Sequence, residues 1–134
     1  RRSRQGGRPM SALTIGPTKY SRGGAVAFGW YGSGELAIQV LNADGERELV
    51  ATVSLLPYGA PDPGRHGVWL KDWSENEGVA DALVQAGIVR LTGRTHPTGY
   101  VHALHAELTD AAIAQLPEIF RRTAAAVDSR SSRG

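Results

Sequence analysis

Apolar and polar residues alternate with period two along three stretches of the first half of the chain. In 25–31 (AVAFGWY), Val26, Phe28 and Trp30 share one face; in 35–41, Leu36, Ile38 and Val40; in 47–56, Leu49, Ala51, Val53 and Leu55. Such alternation marks antiparallel strands with one face turned to a core. The connections agree. Gly32-Ser33-Gly34 supplies the positive φ angles of a tight hairpin, and Asn42-Ala43-Asp44-Gly45 suits a type I turn closed by a left-handed glycine. A short strand over 12–16 precedes them. Residues 57–67 (PYGAPDPGRHG) hold three prolines and three glycines and read as a loop, with 68–70 returning briefly as strand. Residues 88–94 and 100–108 form a second hairpin around Thr95-His96-Pro97-Thr98-Gly99.

The pattern then changes period. Ser74 and Glu77 match the S-x-x-E capping box, so a helix is expected over 75–86. Val79, Ala80, Leu83 and Val84 form its apolar face, and Gly87 is placed as a left-handed C-terminal cap. A last helix starts near Asp110 behind Thr109 as N-cap. Its apolar positions Ile113, Leu116, Phe120, Ala124 and Val127 run at spacings of three and four, with Pro117 kinking or restarting it. The expectation is α+β: one antiparallel sheet of five to six strands, built from two hairpins, with two helices on one face.

At 134 residues the chain fits one domain. It has no cysteine, which excludes disulfides, thiol nucleophiles and Cys-ligated zinc. No apolar run approaches a membrane span and the basic start lacks a signal-peptide core, so a cytoplasmic protein without membrane partners is expected. The net charge of +2 divides unevenly. Residues 1–9 carry four arginines and 128–134 a net +1, whereas 10–127 hold nine basic and twelve acidic residues. The ends, 1–9 and 128–134, read as flexible tails around a mildly acidic domain over 10–127. Residues 1–9 are either natural chain or an addition before Met10. Arginine-rich tails can hold phosphates, which keeps nucleic-acid binding open.

Searches for known chemistry fail. There is no GxxxxGK[ST], HExxH, GxSxG or CxxC. Gly32, Gly34 and Ala37 spell G-x-G-x-x-A, but a strand follows where a dinucleotide site needs a helix. His102 and His105 sit on opposite faces of a strand, while His105 and Glu107 share one and can pair with Arg90 or Arg94. A metal would need a third ligand such as His66 or His96, and neither a metal nor another cofactor is expected. Phe28 and Trp30 read as core, Tyr31 and Trp73 as exposed. Arg94, His96 and Tyr100 around Gly93 and Gly99 could meet an anion or acidic partner, or simply form a hairpin turn.

WLKDWSENEG at 69–78 is the densest stretch. Glu75 and Glu77 are explained by the helix start, where the dipole favours negative charge. That leaves Trp69, Lys71, Asp72 and Trp73 as candidates for a partner surface. The succession Gly24-Ala25, a Pro-rich loop, Asp72 and Asn76, Gly87, Thr92-Gly93-Arg94 and Gly99-Tyr100 resembles an uncharacterised family of small bacterial proteins. Those proteins, a domain of unknown function, are carried on plasmids, conjugative elements and phages. The resemblance covers 14–116 and implies an accessory cytoplasmic protein of a mobile element, with no catalytic residues to carry over. The expected function is a non-enzymatic protein-binding or regulatory module, with pairing of copies through an open sheet edge as one option. The rival is a small hydrolase or nuclease using Asp72, Glu75 or Glu107 with His96 or His105.

Overall fold

A computed structural model describes residues 13–116. The tails and the helix continuation past Pro117 lie outside the described residues. The chain is α+β, but its strands form two antiparallel sheets, not one. The first contains β1 (Thr14–Ile15), β2 (Gly24–Trp30), β3 (Leu36–Leu41) and β4 (Arg47–Val50), in that order. The second contains β5 (Gly67–Leu70), β6 (Val89–Thr98) and β7 (Val101–Leu108), in the order β5-β7-β6. Two short helices follow β5 and β7: α1 (Val79–Gln85) and α2 (Asp110–Ala114).

The alternation over 47–56 misleads because the strand ends at Val50 and the backbone changes partner. Ala51 still donates its N–H to Ile38, at 2.8 Å, but its carbonyl accepts from Lys71. Thr52 bridges to Leu70, and Val53 donates to Trp69 at 2.9 Å. One strand thus leaves the first sheet and joins the second. The departure would orphan polar groups, and side chains take them up. Thr52 Oγ1 accepts the Ile38 N–H at 3.2 Å, replacing the carbonyl that has turned away. The buried Asn76 donates Nδ2 to the Val50 carbonyl at 2.6 Å. Tyr31 donates its hydroxyl to the Thr52 carbonyl at 3.0 Å. Desolvation by burial is the first cause that raises the Tyr31 pKa above 10.0, against a lowering contribution from its bond to Thr52.

The switch also divides the apolar residues. Leu49 and Ala51 join the main core with Ile38 and Val40 from the first sheet and Val68, Leu70, Ala106 and Leu108 from the second. Val53 and Leu55 lie instead in a second, smaller cluster with Ala60, Trp69 and Ala103. Both helices contribute to the main core, α1 through Val79, Ala80 and Leu83, and α2 through Ala112. Val84 stays 36% exposed, so the buried face of α1 is narrower than expected.

The capping box does not form. Ser74–Asn76 makes a 3-10 turn, with Ser74 at φ 54, and α1 begins only at Val79 after a left-handed Gly78. Asp72 takes over, accepting the Gly78 N–H at 2.5 Å. The C-terminal end is as expected: Gly87 has φ 74 and donates to Val84, while Ile88 donates to Leu83. That is a Schellman pair, with buried Ile88 and Leu83 as its hydrophobic contact. Thr109 caps α2 through Oγ1, which accepts from Ala112 at 3.1 Å.

The second hairpin turns more tightly than expected. Thr98 pairs with Val101, so the loop is Gly99-Tyr100 alone, with Gly99 at φ 62 as the first residue of a two-residue turn requires. Pro97 falls inside β6, where an edge strand tolerates its missing donor.

The strand switch gives a direct test. Replacing Thr52 with valine leaves the Ile38 N–H without an acceptor and should cost about 1–3 kcal/mol in urea unfolding. Thr52→Ser keeps the hydroxyl and should cost only roughly 1 kcal/mol, for one methyl group. Equal losses for the two variants would show that the hydroxyl does not carry the junction.

Candidate functional site

Trp69 does not belong to an exposed surface. It is 2% exposed, and its Nε1–H donates to the Pro61 carbonyl at 3.1 Å. The loop 56–66 covers the Trp69 side of β5, while Val68 and Leu70 face the main core, so all four residues of the strand are buried. The sequence signal was the apolar run Val68-Trp69-Leu70, which lacks alternation and marks a strand covered on both faces. Trp73 is half-buried and packs on the same small cluster. Tyr31, expected in solvent, is likewise half-buried. Lys71 pairs with Glu75 at 2.8 Å, and this bond is the first cause that lowers the Glu75 pKa. Asp72 is occupied at the start of α1. The stretch 69–78 is therefore mainly a joint between β5 and α1.

His105 is also committed. It is 1% exposed, and its Nε2 lies 2.8 Å from the Pro63 carbonyl. A carbonyl only accepts, so Nε2 carries the proton. Nδ1 then accepts from the Thr92 hydroxyl at 2.7 Å. The imidazole thereby ties the proline-rich loop to β6, opposite a bulge in which Thr92, Gly93 and Arg94 lie between the paired Leu91 and Thr95. His96 packs against the same tryptophan: the Trp69 ring is 5.7 Å from His96 and 5.2 Å from His105, centroid to centroid. Glu107 pairs with Arg90, as the sequence suggested.

Glu107 also lines a cleft of about 270 Å³ with Arg65, His66, Arg90 and Asp110. The cleft thus gathers Glu107 with His66 and Asp110, not with the expected His96, His105 or Asp72. Burial, aided by Arg65, lowers the His66 pKa below 6.5. Among the described residues, no three His, Asp or Glu side chains are grouped to hold a metal ion.

What stands free is the far end of the β6–β7 hairpin. Trp69 and Leu70 pair with His105 and Leu104, and Leu104 with Thr95, so residues 96–103 run beyond the end of β5, with Ala103 at their base buried in the small cluster beside Trp69. Tyr100 at the tip is fully exposed. Arg94, Pro97 and His102 are exposed, and His96 is half-exposed above Trp69. Arg94 forms no ion pair among the described residues. Of the sequence-derived candidates, His96 and Tyr100 thus share the projecting arm, and Arg94 lies in the bulge at its base. The outer edge of β6 is poorly suited to strand addition. The bulge at 92–94, Pro97 and the two arginines are devices that blunt sheet edges.

Sequence reading missed Glu35, Thr52, Asn76 and Pro63. Glu35 is 7% exposed and accepts from Ser33 at 2.7 Å, Ser54 at 2.6 Å and the Leu56 N–H at 3.2 Å. It pins the first hairpin to the start of the 56–66 loop. Nothing periodic announces such residues. A lone Glu beginning an apolar strand was the available hint.

Two expectations follow. A Cβ at Gly67 would lie 1.8 Å from the Pro63 carbonyl oxygen. Gly67→Ala should therefore displace that loop and unpair His105, costing about 2–4 kcal/mol in thermal or urea unfolding; a change below about 0.5 kcal/mol would contradict this packing. Because the folded state prefers neutral His66, its contribution to stability is present above pH 6.5 and is lost as pH falls through the lowered folded value. Urea midpoints measured against pH should decline there and flatten in His66→Gln. The chain matches no family model, no curated protein and no solved structure, so the residues of the arm, the cleft and the joint have to carry any functional conclusion alone.

Proposed function

We propose that the chain is a non-enzymatic protein-binding module whose contact element is the arm formed by residues 94–102. The observation that carries this reading is Tyr100. A tyrosine fully exposed at the tip of a hydrogen-bonded ladder leaves its apolar ring in water, and such rings supply much of the energy of protein interfaces. Its neighbours complete a contact set of mixed chemistry: Arg94 for charge, Pro97 and Val101 for apolar area, His102 for a polar tip. The ladder fixes the backbone in advance, which lowers the entropy cost of association.

The occupations of the other candidates support the same reading. Asp72 accepts from Gly78 just ahead of α1, Glu75 is held by Lys71, and His105 uses both ring nitrogens internally. None of these pairs a base with a nucleophile, the arrangement covalent hydrolysis requires. The mobile-element setting belongs to this proposal too and rests on the residues quoted above for the resemblance. Binding of nucleic acid through the arginine-rich tails concerns residues outside those described.

The test is a crosslinking pull-down from the native host with wild-type chain and Tyr100→Ala. A stoichiometric protein recovered by the wild type and reduced about tenfold or more by the variant is expected, since a central aromatic contact contributes at least 1.4 kcal/mol. A partner retained equally by both proteins would remove the arm from the interface.

A further inference from the structure

The arm differs from the rest of the molecule in charge. Residues 91–106 contain no Asp or Glu, and their formal charge comes from Arg94. The other described residues carry eleven carboxylates against six Lys and Arg, a net of −5. His96 and His102 add two side chains that are neutral or cationic but never anionic. Outside the arm, Lys19, Lys71 and Arg90 are matched locally by Glu77, Glu75 and Glu107.

We infer that the arm docks into an acidic protein segment with an apolar seat for Tyr100. This rests on the binding reading above and adds the chemistry of the partner. The described residues outside the arm sum to −5, so among them the carboxylate-free arm is the stretch an acidic segment meets at least electrostatic cost. Duplex or single-stranded nucleic acid also presents negative charge, but it is held through several phosphate contacts at once, and the arm offers one arginine. Backbone pairing along β6 is opposed by Pro97 and the 92–94 bulge, so recognition falls to the side chains of the tip.

The experiment is panning of a random peptide library over the full chain, followed by fluorescence anisotropy on the best peptide. Selected peptides should be enriched in Asp and Glu around an apolar core. Their affinity should fall about tenfold or more in Arg94→Glu, less in Arg94→Ala, and decrease as salt is added. Circular dichroism of these variants should match the wild type, because Arg94 is an exposed position.

Selection of neutral or basic peptides, or of none, would overturn the acidic-partner inference. So would affinity indifferent to Arg94→Glu. If such peptides still depend on Tyr100, docking by the arm survives and only the partner's charge is wrong. If neither residue matters, both readings fall. Labelled oligonucleotides run alongside would overturn the protein occupant if they bound with the same Arg94 and Tyr100 dependence.

Discussion

The fold depends on where the backbone of Ala51, Thr52 and Val53 finds its hydrogen bonds. A strand that leaves one sheet for another strips acceptors and donors from the partner it abandons, and buried orphans are expensive. Here the abandoned group is the Ile38 N–H, which the buried Thr52 side chain meets, while the buried Asn76 meets the outward-facing Val50 carbonyl at the end of β4. With the Ile38 N–H and the Val50 carbonyl both met, the two sheets share one core, although Asn76 Oδ1 is itself left buried without a partner. Ile38 and Val40 then lie in the same apolar cluster as Leu70 and Ala106. An apolar residue at 52 would fill space as well as threonine but could not stand in for a carbonyl.

A second constraint follows from the first. Val53 and Leu55, carried past the switch, need cover of their own, and the proline-rich loop provides it. The loop lies over Trp69, with its carbonyls at Pro61 and Pro63 accepting from the indole and from His105. Prolines suit this role, since each keeps an acceptor while having no N–H to satisfy. The cost is functional. Side chains of the kind that do chemistry in other proteins, an indole, an imidazole and an aspartate, are consumed in holding loop, sheet and helix together.

Much of the architecture was legible. The alternation of β2 and β3, the Asn42–Gly45 turn, the Gly87 cap and the Thr109 cap are local, and local rules suffice for them. The break at residue 51 was not, because Leu49, Ala51, Val53 and Leu55 keep perfect alternation through a change of partner; periodicity reports which way side chains point, not which strand lies beside them. The Ser74–Glu77 box failed for a related reason. Asn76 is needed at Val50, and that tertiary bond draws the segment into a 3-10 turn, leaving Asp72 to open the helix. At the candidate site, Arg94, His96 and Tyr100 were legible because hairpin tips are exposed by default. Trp69 was not, since a covering loop from elsewhere in the chain leaves no mark beside it.

The isolated bridge between Thr52 and Leu70 also sets an order of assembly. Strands β1 to β4 pair only with sequence neighbours, and β6 with β7 through a two-residue turn. Both units close short loops, the cheap step in chain entropy. Strand β5 has no such neighbour. It must meet Ala51–Val53 on one side and β7, across α1 and β6, on the other. Contact order therefore makes β5 the late strand, and the proline-rich loop over Trp69 can settle only after it. The chain resembles two quick zips joined by one slow stitch.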